Sequence, residues 1–158
     1  RSLCDWSSDV CSSDLVRITV FDDGSTDGTG TLAREAGAEV LNGEDGIPSD
    51  WRGKTWALQR ATRGLTEEWL LFLDADVRVG PAALSRAHSY AIAQNVDFLS
   101  GFGRLVMDSF WEKVIQPTMG GIILFGNPVR KINDDNEKEK VVANGQFILV
   151  RQIGRAHV

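Results

Sequence analysis

Cysteine is nearly missing from this 158-residue sequence: there are two, Cys4 and Cys11, both within the first dozen positions. Two thiols seven apart do not make a disulfide framework. Histidine is as scarce, with His88 the only one inside the chain's body, so a Cys/His zinc site lacks a ligand set. No uninterrupted apolar run approaches the roughly 18 residues of a membrane-spanning helix. Positive charge is in deficit, with 17 Lys and Arg against 22 Asp and Glu and a net charge of −5. A nucleic-acid binder needs a basic stripe that displaces counterions from phosphates, so no nucleic-acid partner is expected. What remains has the composition of an ordinary soluble domain, long enough to bury roughly two-thirds of its unfolded surface.

The two ends differ from the middle. Residues 1–15, RSLCDWSSDVCSSDL, show neither helical nor strand periodicity and repeat a Ser-Ser-Asp unit. They have no apolar stretch and carry three acids where a targeting peptide would be basic. The string resembles a translated sequencing adapter, and residues 152–158, ending GRAHV, read as its counterpart; a natural disordered N-terminus is the alternative. The functional reading is therefore confined to residues 16–151, taken as part of a domain.

Within that segment strands alternate with helices. Val16–Phe21 is β-branched and runs into an acid-and-glycine cluster. A helix is expected over 26–36, with Ser25 or Thr26 as N-cap and Gly37 ending it. A short strand over 38–41, a loop over 42–53 and a helix over 54–63 follow, with Gly64 as terminator. Trp69–Leu73, WLLFL, reads as a strand covered on both faces. Pro81 suits the first position of a helix over 81–94. Residues 96–102 are a further strand candidate, 134–140 a charged loop, and 141–150 a last strand around Asn144-Gly145. The alternation predicts an α/β domain with a mostly parallel sheet flanked by helices. Residues 110–128 are apolar but broken by Glu112, Lys113 and Pro117. A helix buried under the sheet is preferred there over one lying on a membrane surface with Trp111 and Lys113 at the boundary. His88, mid-helix among Ala and Ser, is expected at or near the surface.

Two strands end in carboxylates, and in open α/β sheets ligands bind beyond the carboxyl ends of strands. On extended chain, Asp74 and Asp76 point the same way with Cα atoms about 6–7 Å apart, so both can reach one hard cation. Acids at that place would repel a diphosphate unless a cation stood between them. A solvated, Asp-rich turn is the plainer explanation. Asp22 and Asp23 can accept hydrogen bonds from a ribose hydroxyl or base N–H, or can serve a capped turn, or both. The Gly-Lys-Ser/Thr ending of a Walker loop is absent.

FDDGSTDGT (21–29), followed about fifty residues later by LLFLDADVRVG (70–80), resembles glycosyltransferase family 2, the inverting nucleotide-sugar transferases of the GT-A fold. Between them, Trp51-Arg52-Gly53-Lys54-Thr55-Trp56-Ala57-Leu58 is similar to a segment of the membrane-associated, hopanoid-biosynthesis-associated subgroup. Phe110-Trp111-Glu112-Lys113 with Gln116-Pro117, and Ala143-Asn144-Gly145-Gln146-Phe147, fit the same subgroup. The resemblance covers 16–151 and implies a truncated GT-A (Rossmann-like) domain. It implies that Asp22 and Asp23 contact base and ribose, and that Lys54 orients the nucleotide or its phosphates. Asp74 joins that nucleotide set and, with Asp76, holds a divalent cation, Mn²⁺ or Mg²⁺, against the diphosphate. Asn144, Gly145 and Gln146 line the sugar or acceptor side, unless they form only an ordinary Asn-Gly turn. The donor implied is a nucleotide-diphosphate sugar, UDP-linked, and the acceptor a hydroxyl, of a lipid by subgroup. The place implied is the cytoplasm or the cytoplasmic face of a membrane, with peripheral membrane contact.

An inverting transferase needs an acid to take the acceptor's proton. By resemblance it lies downstream of residue 151; Glu44-Asp45 and Glu67-Glu68 come too early, and no general base is assigned. The chain as given is therefore expected to be inactive in sugar transfer. Two rival readings stand beside this one. In a haloacid-dehalogenase-like phosphatase, LLFLDADVR would supply nucleophile and acid, although Arg78 stands where that family has Thr or Val. The other is an inert nucleotide-binding fragment.

Overall fold

The computed structural model describes residues 16–43, 48–51, 53–126, 133 and 143–152, with side chains throughout except at 123 and 124. The N-terminal segment 1–15, the loop 134–140 and the tail from 153 lie outside the described residues. The elements in chain order are β1 (Thr19–Asp22), α1 (Thr29–Glu35), β2 (Glu39–Asn42), α2 (Gly53–Ala61), β3 (Trp69–Leu73), α3 (Ala83–Gln94), β4 (Phe98–Ser100), α4 (Phe110–Gly126) and β5 (Phe147–Arg151). The alternation expected of an α/β protein is there. The chain divides into two compact units, Arg1–Glu67 with Val79–Arg86, and Glu68–Arg78 with Ala87–Val158.

In the first unit β1 and β2 pair in parallel, from Thr19 opposite Glu39 to Asp22 opposite Asn42, with α1 as the connection. The helix starts later than the Ser25 or Thr26 cap would have it. Gly24 and Gly28, both left-handed at φ +85° and +84°, turn the chain twice, and Gly28 takes the cap position with no side-chain cap. At its other end α1 stops before Gly37, left-handed at φ +87°, as expected. Gly30 and Ala33 are the buried positions of α1. Helix α2 lies against β1, and beyond it the half-turn is held by Thr62 Oγ1, which donates to Leu58 O at 2.9 Å.

In the second unit β5 runs between β3 and β4, antiparallel to both. Here the expectation of a mostly parallel sheet is corrected: β3 and β4 point the same way, as a helical crossover demands, but each pairs with β5 rather than with the other. Hydrophobic runs carry no strand direction, and β5 begins directly after a turn at 145–146. Leu149, on β5, is 1% exposed and the largest fully buried side chain among the described residues. WLLFL is half-buried along its whole length rather than covered on both faces. Trp69 meets His88 edge-on at 5.3 Å, so His88 is half-buried, and the Arg151 guanidinium stands 5.9 Å from the Trp69 ring.

Helix α3 begins at Ala83, two residues after the expected Pro81 start, because Ala82 is left-handed at φ 59° and breaks the helical path. It ends where expected, at Gln94, on a left-handed Asn95. Helix α4 is one continuous helix despite Pro117, and it begins in a reciprocal cap. Ser109 Oγ accepts from Glu112 N at 3.2 Å, while Glu112 Oε2 accepts from Ser109 N at 2.8 Å and Asp108 N at 3.0 Å. Ser109-Phe110-Trp111-Glu112 is a Ser-x-x-Glu box, a signal that the sequence carries beneath the apolar pattern. The preference for a buried α4 is corrected: Phe110, Trp111, Ile115, Met119, Ile122 and Phe125 are all exposed, Phe125 at 92%. These positions share about half of the helix surface, opposite Glu112, Lys113 and Gln116, and that apolar face is left open rather than covered by a sheet. No described helix is long and apolar enough to cross a membrane.

The cap gives a first expected result. Ser109→Ala should cost about 1 kcal/mol of helix stability, seen as lost helical ellipticity and a lower melting temperature. The N–H groups of Ser109 and Asp108 hold the Glu112 carboxyl below the ordinary glutamate value. Its contribution is thus complete above that value and fades as pH falls through the lower folded one. An ellipticity that does not change as pH falls from about 5 to about 3, through the ordinary carboxylate range, would show that the box does not act.

Candidate functional site

Asp22 is the last residue of β1, and its carboxylate is engaged inside its own loop. Oδ1 accepts from Ser25 N at 2.8 Å, and hydrogen bonding by Ser25, its side chain first and its backbone N–H second, holds the Asp22 carboxyl below its usual range. Oδ2 lies over the bare Cα of Gly30, so that a Cβ built there would be 2.6 Å from it. The same loop is tied again at Asp27, whose Oδ1 accepts from Thr29 N at 3.1 Å and Thr29 Oγ1 at 2.6 Å. Those bonds lower the Asp27 carboxyl likewise. Asp23 is exposed, and its carboxylate lies against Gly43 just beyond β2, where a built Cβ would be 2.6 Å from Oδ1. Gly43 N donates to Asp22 O at 2.9 Å, extending the β1–β2 ladder by one bond. Two glycines, one on a helix and one after a strand, therefore seat the two acids at the carboxyl end of a parallel pair. Lys54 is in the first turn of α2, exposed, in the same unit.

Asp74 directly follows β3 in the second unit, and Asp76 lies in the turn after it. The extended-chain argument for these two acids is corrected. Val77 N donates to Asp74 O at 3.1 Å, which closes a β-turn with Asp76 at its third position, so the alternation of a strand does not apply. Asp74 is half-buried and Asp76 exposed. Two carboxylate oxygens on an open turn suit a hard cation that keeps water and substrate oxygens in its shell. Among the described residues no group of three or more Asp, Glu, His or Cys could form a closed metal cage.

The Asn144–Gln146 turn meets the Asp74 turn because β5 starts where β3 ends. Asp74 N donates to Gln146 O at 3.4 Å. Gln146 N donates to Asn144 Oδ1, and Asn144 Nδ2 to Gln146 Oε1, both at 3.2 Å. Ser100, at the end of β4, fastens this turn: its Oγ accepts from Asn144 N at 2.7 Å and donates to Asn144 O at 3.1 Å. Nothing in the sequence marked Ser100, which stands 44 residues from its partner. A shallow cavity lined by Gly103 to Asp108 begins beside the turn, with a Cβ built on Gly103 falling 3.7 Å from Gln146 Oε1.

The early acids have other occupations. Glu67 Oε1 is 3.5 Å from Arg17 Nη1, and Glu68 Oε1 is 2.7 Å from Arg151 Nη2. Both are exposed ion pairs. Glu44-Asp45 lie outside the described residues.

Among curated proteins none matches the chain. The family model described as glycosyl transferase family 2 matches residues 1–153. That match decides between a transferase and a phosphatase in favour of the transferase.

Proposed function

Because the chain belongs to glycosyl transferase family 2, we propose that its site residues serve inverting transfer of a sugar from a UDP-sugar to an acceptor hydroxyl, that of a lipid. The observation that carries the donor side is the Asp74–Asp76 turn, fixed at the carboxyl end of β3 by Gln146.

In the first unit Asp22 and Asp23 accept hydrogen bonds from base and ribose, and Lys54 adds positive charge for the nucleotide. In the second unit Asp74 and Asp76 hold Mn²⁺ or Mg²⁺, and Asn144, Gly145 and Gln146 line the sugar or acceptor side. The cation, when bound, neutralises the diphosphate and so assists its departure. In-line attack by the acceptor oxygen on the anomeric carbon breaks the bond to the diphosphate, which leaves with the bonding pair. The acceptor's proton goes to a carboxylate base that none of the residues above supplies. The exposed apolar side chains of α4, with Trp111 at one end, support contact with the membrane that would hold a lipid acceptor.

Calorimetric titration of UDP and GDP, with and without Mn²⁺, tests the donor site. UDP should bind in a Mn²⁺-dependent manner, and Asp76→Ala should weaken it about tenfold or more, the equivalent of about 1.4 kcal/mol. Binding that ignores both Mn²⁺ and the substitution removes the cation from the reading.

A further inference from the structure

Asp22 and Asn42 are register partners at the carboxyl ends of β1 and β2, so their side chains share a face of the parallel pair. Helix α1 carries Gly30 and Arg34, four residues apart and hence neighbours on one helix face. A Cβ built on Gly30 would lie 2.6 Å from Asp22 Oδ2 and 3.5 Å from Arg34 Nη1, so carboxylate and guanidinium flank the same bare Cα. Arg34 Nη2 donates to Asn42 Oδ1 at 3.4 Å.

We propose that Arg34, braced on Asn42, is a positioning residue that fixes the Asp22 carboxylate for the donor nucleotide. The inference rests on the nucleotide reading above and adds to it a residue that the motifs did not single out. Oδ1 accepts from Ser25 N, and the Arg34 guanidinium lies on the Oδ2 side of the carboxylate, across the bare Cα of Gly30 and beyond ion-pair distance. The charged groups around Asp22 are Asp23 and Asp27 in the loop and Arg34 on α1. Strand β2 brings the neutral Asn42, and α2 carries Lys54 and Arg60. The Ser25 hydrogen bonds and, to a lesser degree, the Arg34 charge favour the ionised Asp22 while Asp27 disfavours it, so removing Arg34 takes away one of the groups that offset the repulsion between the acids.

The test follows the Asp22 side-chain carboxyl by carbon-detected NMR over pH, alongside UDP titration with Mn²⁺, in the full chain. Arg34→Gln should raise the Asp22 midpoint and weaken UDP by about threefold to fivefold at low salt, the span of a surface charge pair. The effect should shrink as salt is added. Arg34→Lys should restore the midpoint but only part of the affinity, since an ammonium lacks the fork that braces on Asn42. Asn42→Ala should keep the midpoint near that of the unaltered chain and still weaken UDP. A purely structural Arg34 would leave the Asp22 midpoint where it was. If Asp22→Asn weakens UDP while Arg34→Gln changes neither quantity, the positioning role is overturned and the nucleotide reading stands. If neither Asp22→Asn nor Asp23→Asn affects UDP, both are overturned.

Discussion

Leu149→Ala should unfold the second unit at a markedly lower denaturant concentration than the unaltered chain. Leu149 sits mid-strand on β5, opposite Leu71 of β3 on one side and Leu99 of β4 on the other, and is 1% exposed. Truncating such a leucine removes its transfer free energy and leaves a cavity, together about 2–5 kcal/mol. Domains are stable by only about 5–15 kcal/mol in total. Few other described side chains are fully buried, so little is left to compensate. Urea unfolding followed at Trp69 should show a midpoint shifted down with an unchanged slope. Leu149→Met, which keeps the volume, should cost less than about 1.5 kcal/mol. A loss below about 1 kcal/mol for Leu149→Ala, outside the range such truncations span, would mean that the unit's core lies elsewhere.

Gly43→Ala carries the largest effect expected on ligand binding. The added Cβ would be 2.6 Å from Asp23 Oδ1, 3.2 Å from Phe21 Cε1 and 3.3 Å from Asp23 Cα. A swing of the carboxylate relieves the first contact but not the others, one of which is backbone. The strand end must shift, at a cost of about 1–3 kcal/mol. Asp23 then leaves its seat, and Mn²⁺-dependent UDP affinity should fall more than about tenfold, or about 1.4 kcal/mol. Gly30→Ala is the instructive contrast. There the clash at 2.6 Å is with the Asp22 side chain alone, while alanine favours a helix interior by about 1 kcal/mol. Stability should hardly move while UDP binding weakens. Equal binding in Gly43→Ala and the unaltered chain would show that Asp23 is not held as described.

The parts of this fold that were legible from sequence are those governed by neighbours along the chain. WLLFL became β3 with the boundaries its composition suggested, and Gly37 ended its helix in the left-handed conformation that glycine adopts without strain, whereas α2 closes at Ala61, short of the expected Arg63 and of the left-handed Gly64. Both acidic turns stand at strand ends because the apolar runs before them stop there. What escaped was set by distant partners. The insertion of β5 between β3 and β4 depends on pairing across the chain, and no local pattern encodes its direction. Ser100 is an unremarked serine until Asn144 reaches it. The seats at Gly30 and Gly43 depend on space rather than on propensity. The late start of α1 was a local matter, yet two competing signals, Ser25 as a cap and Gly28 as a turn, were there to choose from. The left-handed Ala82 that delays α3 has no cause in composition.

The central place of β5 also bears on how the chain is made. The ladder between β1 and β2 joins residues about twenty apart, so it can close soon after Asn42 leaves the ribosome. β3 and β4 have no such freedom, since each takes its hydrogen bonds from a strand ending at Arg151, about 80 residues after Trp69. Until that segment emerges, two short apolar strands wait with open edges, the state most exposed to wrong pairing and to chaperone capture. Synthesis paused anywhere between Ser100 and Phe147 would leave the first unit's ladder able to form and the second unit's sheet without its middle strand.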